Sequence, residues 1–250
     1  MSRLLRVLYR KELRQLLAAR SAIVTGALVP TFLLGVIPWM LAFTVSHASS
    51  HRTGRPLPEA MRFGFFGEVG SDPRLMPGAM LPVMVAIVGL ILPTMMASTL
   101  LITERERRTL ELLVALPVRL SDVLTAKLLA TLTVSSAITV PLLSIAVIGF
   151  PLLGVGTVTQ VLLLPVLLVA ALALSSSTAL LMALLSKDFR TANNVAGALL
   201  APTILATMLL GFLLPGGLVR PLCISIAYAL GALGTLRYAL RASTFEKLLS

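Results

Sequence analysis

Residues 157–186 read TVTQVLLLPVLLVAALALSSSTALLMALLS, a stretch of 30 residues without a charged side chain. A helix needs about 20 apolar residues to cross the hydrocarbon core of a bilayer, so this stretch predicts a membrane span. Five further stretches satisfy the same rule of length and composition. The six predicted spans cover residues 21–45, 78–103, 123–150, 157–186, 192–214 and 218–236. The sequence therefore predicts an all-α polytopic membrane protein with one transmembrane domain over residues 1–250.

The composition of the whole chain supports this class. Of the 250 residues, 57% are hydrophobic and 12% are charged, which is roughly half the charged fraction of a soluble domain. A soluble domain of this size cannot bury so much apolar surface, because it must still cover itself with polar atoms. A soluble enzyme, a disordered chain and a disulfide scaffold are therefore excluded. The single cysteine, Cys223, lies in an apolar run.

The basic residues predict the orientation of the chain. Lysine and arginine outnumber the acidic residues by 21 to 10. Such an excess can indicate nucleic-acid binding, but beside membrane spans it is typical of cytoplasmic flanks. With the N-terminus inside, the predicted cytoplasmic segments hold 16 bases and the opposite side holds 5. We therefore predict no nucleic-acid partner, both termini in the cytoplasm, and a cytoplasmic tail over residues 237–250.

Residues 1–20 predict an amphipathic helix on the membrane surface. At about 100° per residue, one side of this helix is apolar and the other is basic. The apolar side holds Leu5, Leu8, Tyr9, Leu13 and Leu16, and the basic side holds Arg3, Arg6, Arg10 and Arg14. Such a helix buries its apolar face at the headgroup boundary while its arginines contact anionic lipid. The alternative is a basic flank that only sets the topology.

The predicted outer loop, residues 46–77, is too short to form a stable domain of its own. Its histidines, His47 and His51, are four residues apart, and methionines recur every four residues at Met76, Met80 and Met84. Export of a soft metal ion is one interpretation of this pattern. Two histidines without a third ligand are weak evidence for a metal site, and methionine is a common filler of apolar gaps. We therefore predict no metal site.

The sequence lacks the motifs of nucleotide and hydrolytic chemistry. It has no GxxxxGK[ST], HExxH or GxSxG pattern. The predicted spans are almost free of ionisable side chains; Lys127 and Arg220 lie near span starts, where we expect them to snorkel towards water. An ion-coupled carrier needs ionisable groups within the membrane. Active transport by this chain would therefore take its energy from a partner outside the lipid.

Residues 104–117, ERERRTLELLVALP, lie between the second and third predicted spans. Five consecutive charges are followed by a leucine-rich turn, and Glu104 and Arg108 form an i,i+4 pair in the favourable order. A helix with a charged head and apolar side chains can dock into a groove on a soluble protein. The candidate docking residues are Glu104, Arg105, Arg108, Leu110, Glu111, Leu113, Leu116 and Pro117. The alternative is a solvated loop that only connects two spans.

This segment resembles a signature of the permease subunits of type-2 ATP-binding-cassette exporters. The family has a Glu-Arg pair followed by Thr-Leu-Glu-Leu-Leu, which stands here at residues 109–113, and then a proline. A Gly-Lys pair opens the next span in the family; here Ala126 replaces the glycine and Lys127 matches. Residues 10–13, RKEL, are similar to the family's N-terminal amphipathic helix, and residues 187–190, KDFR, to its second cytoplasmic turn.

The resemblance implies an ATP-driven exporter in the inner (plasma) membrane of a prokaryote, built from two permease bundles and two ATPase subunits. The second bundle is a second copy or a paralogue. Residues 104–117 would be the coupling helix, and ATP would be bound by the partner, so this chain would be non-catalytic and carry no cofactor. No span identifies the substrate. A membrane anchor or assembly factor that docks a soluble complex through the same loop is the alternative.

A run of hydroxyl residues, SSST at residues 175–178, occupies more than one turn of the fourth predicted span. Small hydroxyl side chains allow helices to approach closely and form hydrogen bonds to backbone carbonyls. We therefore predict helix packing at this run. The alternative is that the run lines a substrate path.

Overall fold

A computed structural model describes residues 3–18, 20–48, 75–106, 120–154, 158–185 and 189–242. These residues are helical apart from short turns and contain no strand, so the predicted all-α class is confirmed. The helices are α1 (Arg3–Ala18), α2 (Arg20–Pro30), α3 (Ile37–Ala48), α4 (Met76–Glu106), α5 (Leu120–Leu152), α6 (Val158–Val161), α7 (Leu164–Leu185), α8 (Phe189–Leu213) and α9 (Val219–Ala242). A π-helical segment, Thr31–Val36, joins α2 to α3.

Four stretches of these helices are long and apolar enough to cross a bilayer. They are Gly26–Thr44, Met76–Met96, Thr125–Leu152 and Val219–Ala239. Two further apolar stretches, Leu164–Ala179 and Gly197–Leu213, are shorter. Each of the six overlaps one predicted span, but within the described part of the chain only four reach full length, so the count of six spans stays a prediction.

The π-helical segment accommodates a proline in the first membrane helix. The N–H of Ile37 donates to the carbonyl of Phe32, five residues earlier. Pro38 follows directly; it has no N–H, and its ring conflicts with the carbonyl four residues before it. A wider turn at this point relieves that conflict. Trp39, one residue further on, packs edge-on against Phe150 of α5, with ring centroids 5.4 Å apart.

Helix α7 lies at the centre of the bundle and makes its most extensive contacts with α9 and α4. Its sequence is apolar on every side, which is typical of a helix surrounded by other helices. Leu164, Leu167 and Ala171 are completely buried in the main core, together with Leu81 and Val85 of α4. The uncharged stretch that predicted a membrane span therefore forms the axis around which α4, α5, α8 and α9 pack.

The contact between α4 and α7 depends on a glycine. A Cβ added at Gly89 would lie 2.5 Å from the Cβ of Ala171, well inside van der Waals contact. Small residues at helix interfaces let two backbones approach closely, which is the main source of packing energy between helices in lipid. Any side chain at position 89 would push the two central helices apart.

We expect Gly89→Ala to lower the free energy of unfolding by about 1–3 kcal/mol relative to Gly234→Ala, the usual range for overpacking. Gly234 is a matched control in α9, because nothing lies within 4 Å of a Cβ added there. Both substitutions gain the same helix propensity, so the difference isolates the clash. The measurement is thermal unfolding of the purified chain in detergent. Equal melting temperatures for the two variants would contradict this account of the α4–α7 contact.

The structure corrects the prediction for Arg220, which does not snorkel. Its side chain is 1% exposed. Nη1 donates to the carbonyl of Ala79 at 3.0 Å, and Nη2 donates to the carbonyl of Leu214 at 3.1 Å. A guanidinium that finds backbone acceptors inside the bundle has no need to reach water. Arg220 therefore ties the start of α9 to the start of α4 and to the end of α8.

Candidate functional site

The N-terminal helix α1 packs against other helices of the bundle. Its apolar face enters a second, smaller core formed with α4 and α5. This core consists of Leu16, Leu92, Met96, Ala130 and Val134, with Tyr9, Leu13 and Ile138 packed against it. The prediction that the apolar face of this helix lies in the headgroup region is therefore wrong for Leu16, which protein covers. Tyr9 and Leu13 are only partly buried, so their contact with the headgroup region stays a prediction.

The basic face of α1 has the orientation that the sequence predicts. Arg6, Arg10 and Arg14 are exposed, while the side chain of Arg3 lies outside the described part of the structure. Contact of these arginines with anionic lipid stays a prediction. The helix is thus fixed to protein on one side and presents positive charge on the other.

A buried ion pair fixes α1 to α5. Nζ of Lys127 donates to Oε2 of Glu12 at 3.0 Å, and both residues are buried, at 7% and 1% exposure. A second cation, the half-exposed Lys11, lies 3.7 Å from the other carboxylate oxygen of Glu12. Removing two charges from water is costly, and this cost is offset only when the pair meets at close range and good geometry. The pair therefore specifies one register of α1 against α5. It also corrects the prediction that Lys127 snorkels.

A neutral hydrogen bond lies beside the ion pair. The hydroxyl of Tyr9 donates to Oγ1 of Thr133 at 3.0 Å, and Oγ1 of Thr133 in turn donates to the carbonyl of Leu129 at 2.7 Å. Tyr9 and Glu12 are three residues apart, so they share one side of α1. Their partners follow the opposite order along α5, which shows that the two helices run antiparallel at this contact.

A sequence profile of the family described as ABC-2 family transporter protein matches residues 6–222. The chain belongs to the ABC-2 transporter family. The matched region contains both members of the buried ion pair and most of the described helices. It supports a membrane-embedded transporter permease and, through the family, partnership with an ABC ATPase subunit. Comparisons with curated proteins and with solved structures give no match.

The buried pair joins two motifs of this ABC-2 permease that lie 115 residues apart in the sequence. Glu12 belongs to the RKEL stretch at residues 10–13, and Lys127 is the lysine that opens the third predicted span. Neither residue was predicted to be functional from the sequence. Their charge could have indicated a role. An acid on the apolar side of an amphipathic helix and a base within a predicted span both require a partner.

The predicted coupling residues lie largely outside the described structure. Arg108, Leu110, Glu111, Leu113, Leu116 and Pro117 fall in the undescribed residues 107–119. Glu104 and Arg105 lie in the last turn of α4, but their side chains are not described. The docking role of this segment stays a prediction. The helices that flank it, α4 and α5, both contribute to the small core around α1.

The structure describes only part of the histidine and methionine pattern of this permease, so the absence of a metal site there stays a prediction. Within the described residues, no group of three His, Cys, Asp or Glu side chains could hold a metal ion. Met84 is buried in the main core, and Met80 packs against it. The side chain of His47 and all of His51 lie outside the described part of the structure. The two described core methionines therefore serve helix packing.

The hydroxyl run of α7 packs against its neighbours, as the sequence predicts. Ser175, Ser176 and Ser177 are buried. Ser175 lies 2.7 Å from Oγ1 of Thr94 in α4, and Ser177 lies 2.7 Å from Oγ1 of Thr235 in α9. These hydrogen bonds join the central helix to both of its main partners. Packing thus explains Ser175 and Ser177, while Ser176 is buried and its hydroxyl donates to the carbonyl of Leu172 in its own helix.

We expect Glu12→Gln and Lys127→Met each to lower the free energy of unfolding by about 3–5 kcal/mol, because each leaves the opposite charge buried without its 3.0 Å partner. The double variant should be more stable than either single variant, since both charges are then gone. Lys11→Met is the control: this lysine is half-exposed and its pair with Glu12 is longer, so its loss should cost under about 1 kcal/mol. Thermal unfolding of the four variants in detergent is the measurement. Additive losses in the double variant would contradict a coupled buried pair.

Proposed function

We propose that this chain is the membrane-spanning subunit of an ATP-driven export complex, in which it forms the translocation path and is coupled to a separate ATPase. Membership of the ABC-2 transporter family supports the permease role and the ATPase partner. The single observation that carries the coupling is the buried contact between Glu12 and Lys127. Lys127 lies two turns into α5, the helix that follows the predicted coupling segment.

The proposed coupling follows from this connection. Residues 104–117 include the last turn of α4 and precede α5, and both helices pack against α1 through the small core around Leu16. A close-packed core transmits displacement because it cannot be compressed. When the ATPase moves the coupling segment, α1 and the start of α5 shift together. Rigid movement of such a unit is one of the established ways to alternate access across a membrane.

The proposed complex contains two permease bundles and two ATPase subunits. ATP is bound by the partner, and this chain itself hydrolyses nothing and carries no cofactor. Each bundle has six spans with both termini in the cytoplasm of a prokaryote, and the complex exports its substrate across the inner membrane. The second bundle is either a copy of this chain or a paralogue. The excess of bases in the predicted cytoplasmic segments supports this orientation.

Glu104→Ala and Glu111→Ala test the coupling segment. We expect each variant to insert and fold, but to weaken assembly with the ATPase or to uncouple ATP hydrolysis from transport. Losing one member of a buried, hydrogen-bonded charge pair at an interface costs about 2–5 kcal/mol, at least tenfold in affinity. The measurements are co-purification of the ATPase with each variant and transport-linked ATP turnover of the complex.

The matched control is Glu59→Ala, which removes an acid from the predicted outer loop and should leave assembly and turnover unchanged. If the single variants and the double variant Glu104→Ala/Glu111→Ala all assemble and turn over normally, residues 104–117 are a solvated connector and the proposed coupling is wrong. Substrate flux that persists without ATP hydrolysis would also reject the proposal.

A further inference from the structure

A cavity of about 270 Å³ lies inside the bundle, between α4, α7, α8 and α9. Its lining is apolar except for four threonines, and the described residues that form it include no charged side chain. The threonines are Thr94, Thr178, Thr203 and Thr235. Thr178 is the last residue of the hydroxyl run in α7. The residues of this run therefore have different roles: Ser175 and Ser177 bond to neighbouring helices, while Thr178 lines the cavity.

The hydroxyl hydrogens of these threonines are already engaged. Thr203 Oγ1 donates to the carbonyl of Leu199 at 2.7 Å, and Thr178 Oγ1 donates to the carbonyl of Leu174 at 3.0 Å. Thr94 and Thr235 form equivalent bonds within their own helices. A hydroxyl has one hydrogen but two acceptor lone pairs. The cavity therefore offers acceptors, and a molecule that binds in it has to supply the donor.

Thr178 and Thr203 are the best placed acceptors. Thr94 also bonds to Ser175, and Thr235 also bonds to Ser177, so part of their acceptor capacity is committed to packing. Thr178 and Thr203 are partly exposed and belong to different helices, α7 and α8. A donor between these two helices can reach either oxygen.

The size and surroundings of the cavity limit the ligand further. A dry protein cavity of about 150 Å³ holds one benzene molecule, so 270 Å³ has room for about two fused rings. Leu199, which helps to line the cavity, is 44% exposed, so the cavity opens to the outside of the bundle at α8. In a membrane-embedded chain that outside is hydrocarbon. A charged ligand would lack a counter-charge in this lining and would bear the full cost of desolvation.

We propose that this cavity is a binding site for an uncharged, largely apolar molecule of about two fused rings that donates a hydrogen bond to Thr178 or Thr203. Apolar walls with a few placed polar groups are the usual composition of small-molecule sites. The site goes beyond the proposed ATP coupling and does not depend on it, because binding to the isolated chain would stand even if the coupling proposal failed. A lipid acyl chain also fits apolar walls but has no donor, and the test separates the two.

The test compares two probes that differ in a single donor. 2-Naphthol donates a hydrogen bond through its hydroxyl, whereas 2-methoxynaphthalene has the same rings and no donor. Affinity is measured by equilibrium dialysis of the full chain in detergent. A parallel dialysis with protein-free micelles gives the amount of probe that partitions into detergent, and this amount is subtracted. We expect saturable binding of one 2-naphthol per chain, about 3- to 10-fold tighter than 2-methoxynaphthalene, the value of one hydrogen bond. Equal affinities, or binding that does not saturate, would overturn the proposal.

Substitutions of the threonines that line the cavity test whether the two probes bind there. Thr203→Val and Thr178→Val keep the shape of the side chain and remove its oxygen, so at least one of them should reduce 2-naphthol affinity about 3- to 10-fold without changing that of 2-methoxynaphthalene. Thr203→Phe fills the cavity and should abolish saturable binding of both probes.

Thr44 is the matched control, because it is exposed on α3 and its hydroxyl likewise donates to a carbonyl of its own helix, that of Leu41. Thr44→Val and Thr44→Phe should bind both probes like the unmodified chain. A preference for 2-naphthol that survives Thr178→Val, Thr203→Val and their combination would place the donor contact elsewhere and overturn the proposal. Unfolding temperatures measured alongside identify any variant whose fold has failed, and the valine variants then decide the outcome.

Discussion

The buried pair between Glu12 and Lys127 is the contact on which the position of the N-terminal helix α1 depends. It places two opposite charges 3.0 Å apart in a site that excludes water. Such a pair is tolerated only in one geometry, so it selects a single position of α1 on α5 where apolar contacts alone would allow several. The small core around Leu16 and the hydrogen bond of Tyr9 to Thr133 follow from that position. The N-terminal helix thereby becomes part of the bundle.

In the interior of the membrane region, helix packing depends on small residues and hydroxyl groups and not on a charge pair. Around α7, small residues and hydroxyls set the distances between helices: Gly89 allows close contact with Ala171, and Ser175 and Ser177 bond to α4 and α9. The same hydroxyl run reaches the cavity, because Thr178 follows the three serines and lines it. One short stretch of sequence, residues 175–178, therefore joins the central helices and borders the cavity.

The all-α class and the positions of the apolar stretches could be predicted from the sequence, since both depend on composition along the chain. The signature at residues 104–117 likewise predicted the ABC-2 transporter family, which the match over residues 6–222 confirms. Contacts between distant segments could not be predicted. Lys127 and Arg220 were expected to reach water because a helix end near a membrane surface usually permits it. Their actual partners, a carboxylate 115 residues away and a carbonyl 141 residues away, are set by packing that no local pattern encodes.

The central claim is that α1 and α5 move as one unit when the ATPase turns over, and a reversible cross-link tests it directly. Tyr9→Cys and Thr133→Cys, in a Cys223→Ser background because Cys223 is exposed, place thiols on the two helices at an existing contact. A short bifunctional thiosulfonate is needed, since the length of the tyrosine side chain leaves the backbones too far apart for a disulfide. Mass spectrometry establishes that the link has formed, and transport-linked ATP turnover of the assembled complex is then measured. The account predicts that turnover survives cross-linking, because the two helices do not separate. Turnover that is lost on cross-linking and restored by reductant, with both single-cysteine variants unaffected, would contradict it.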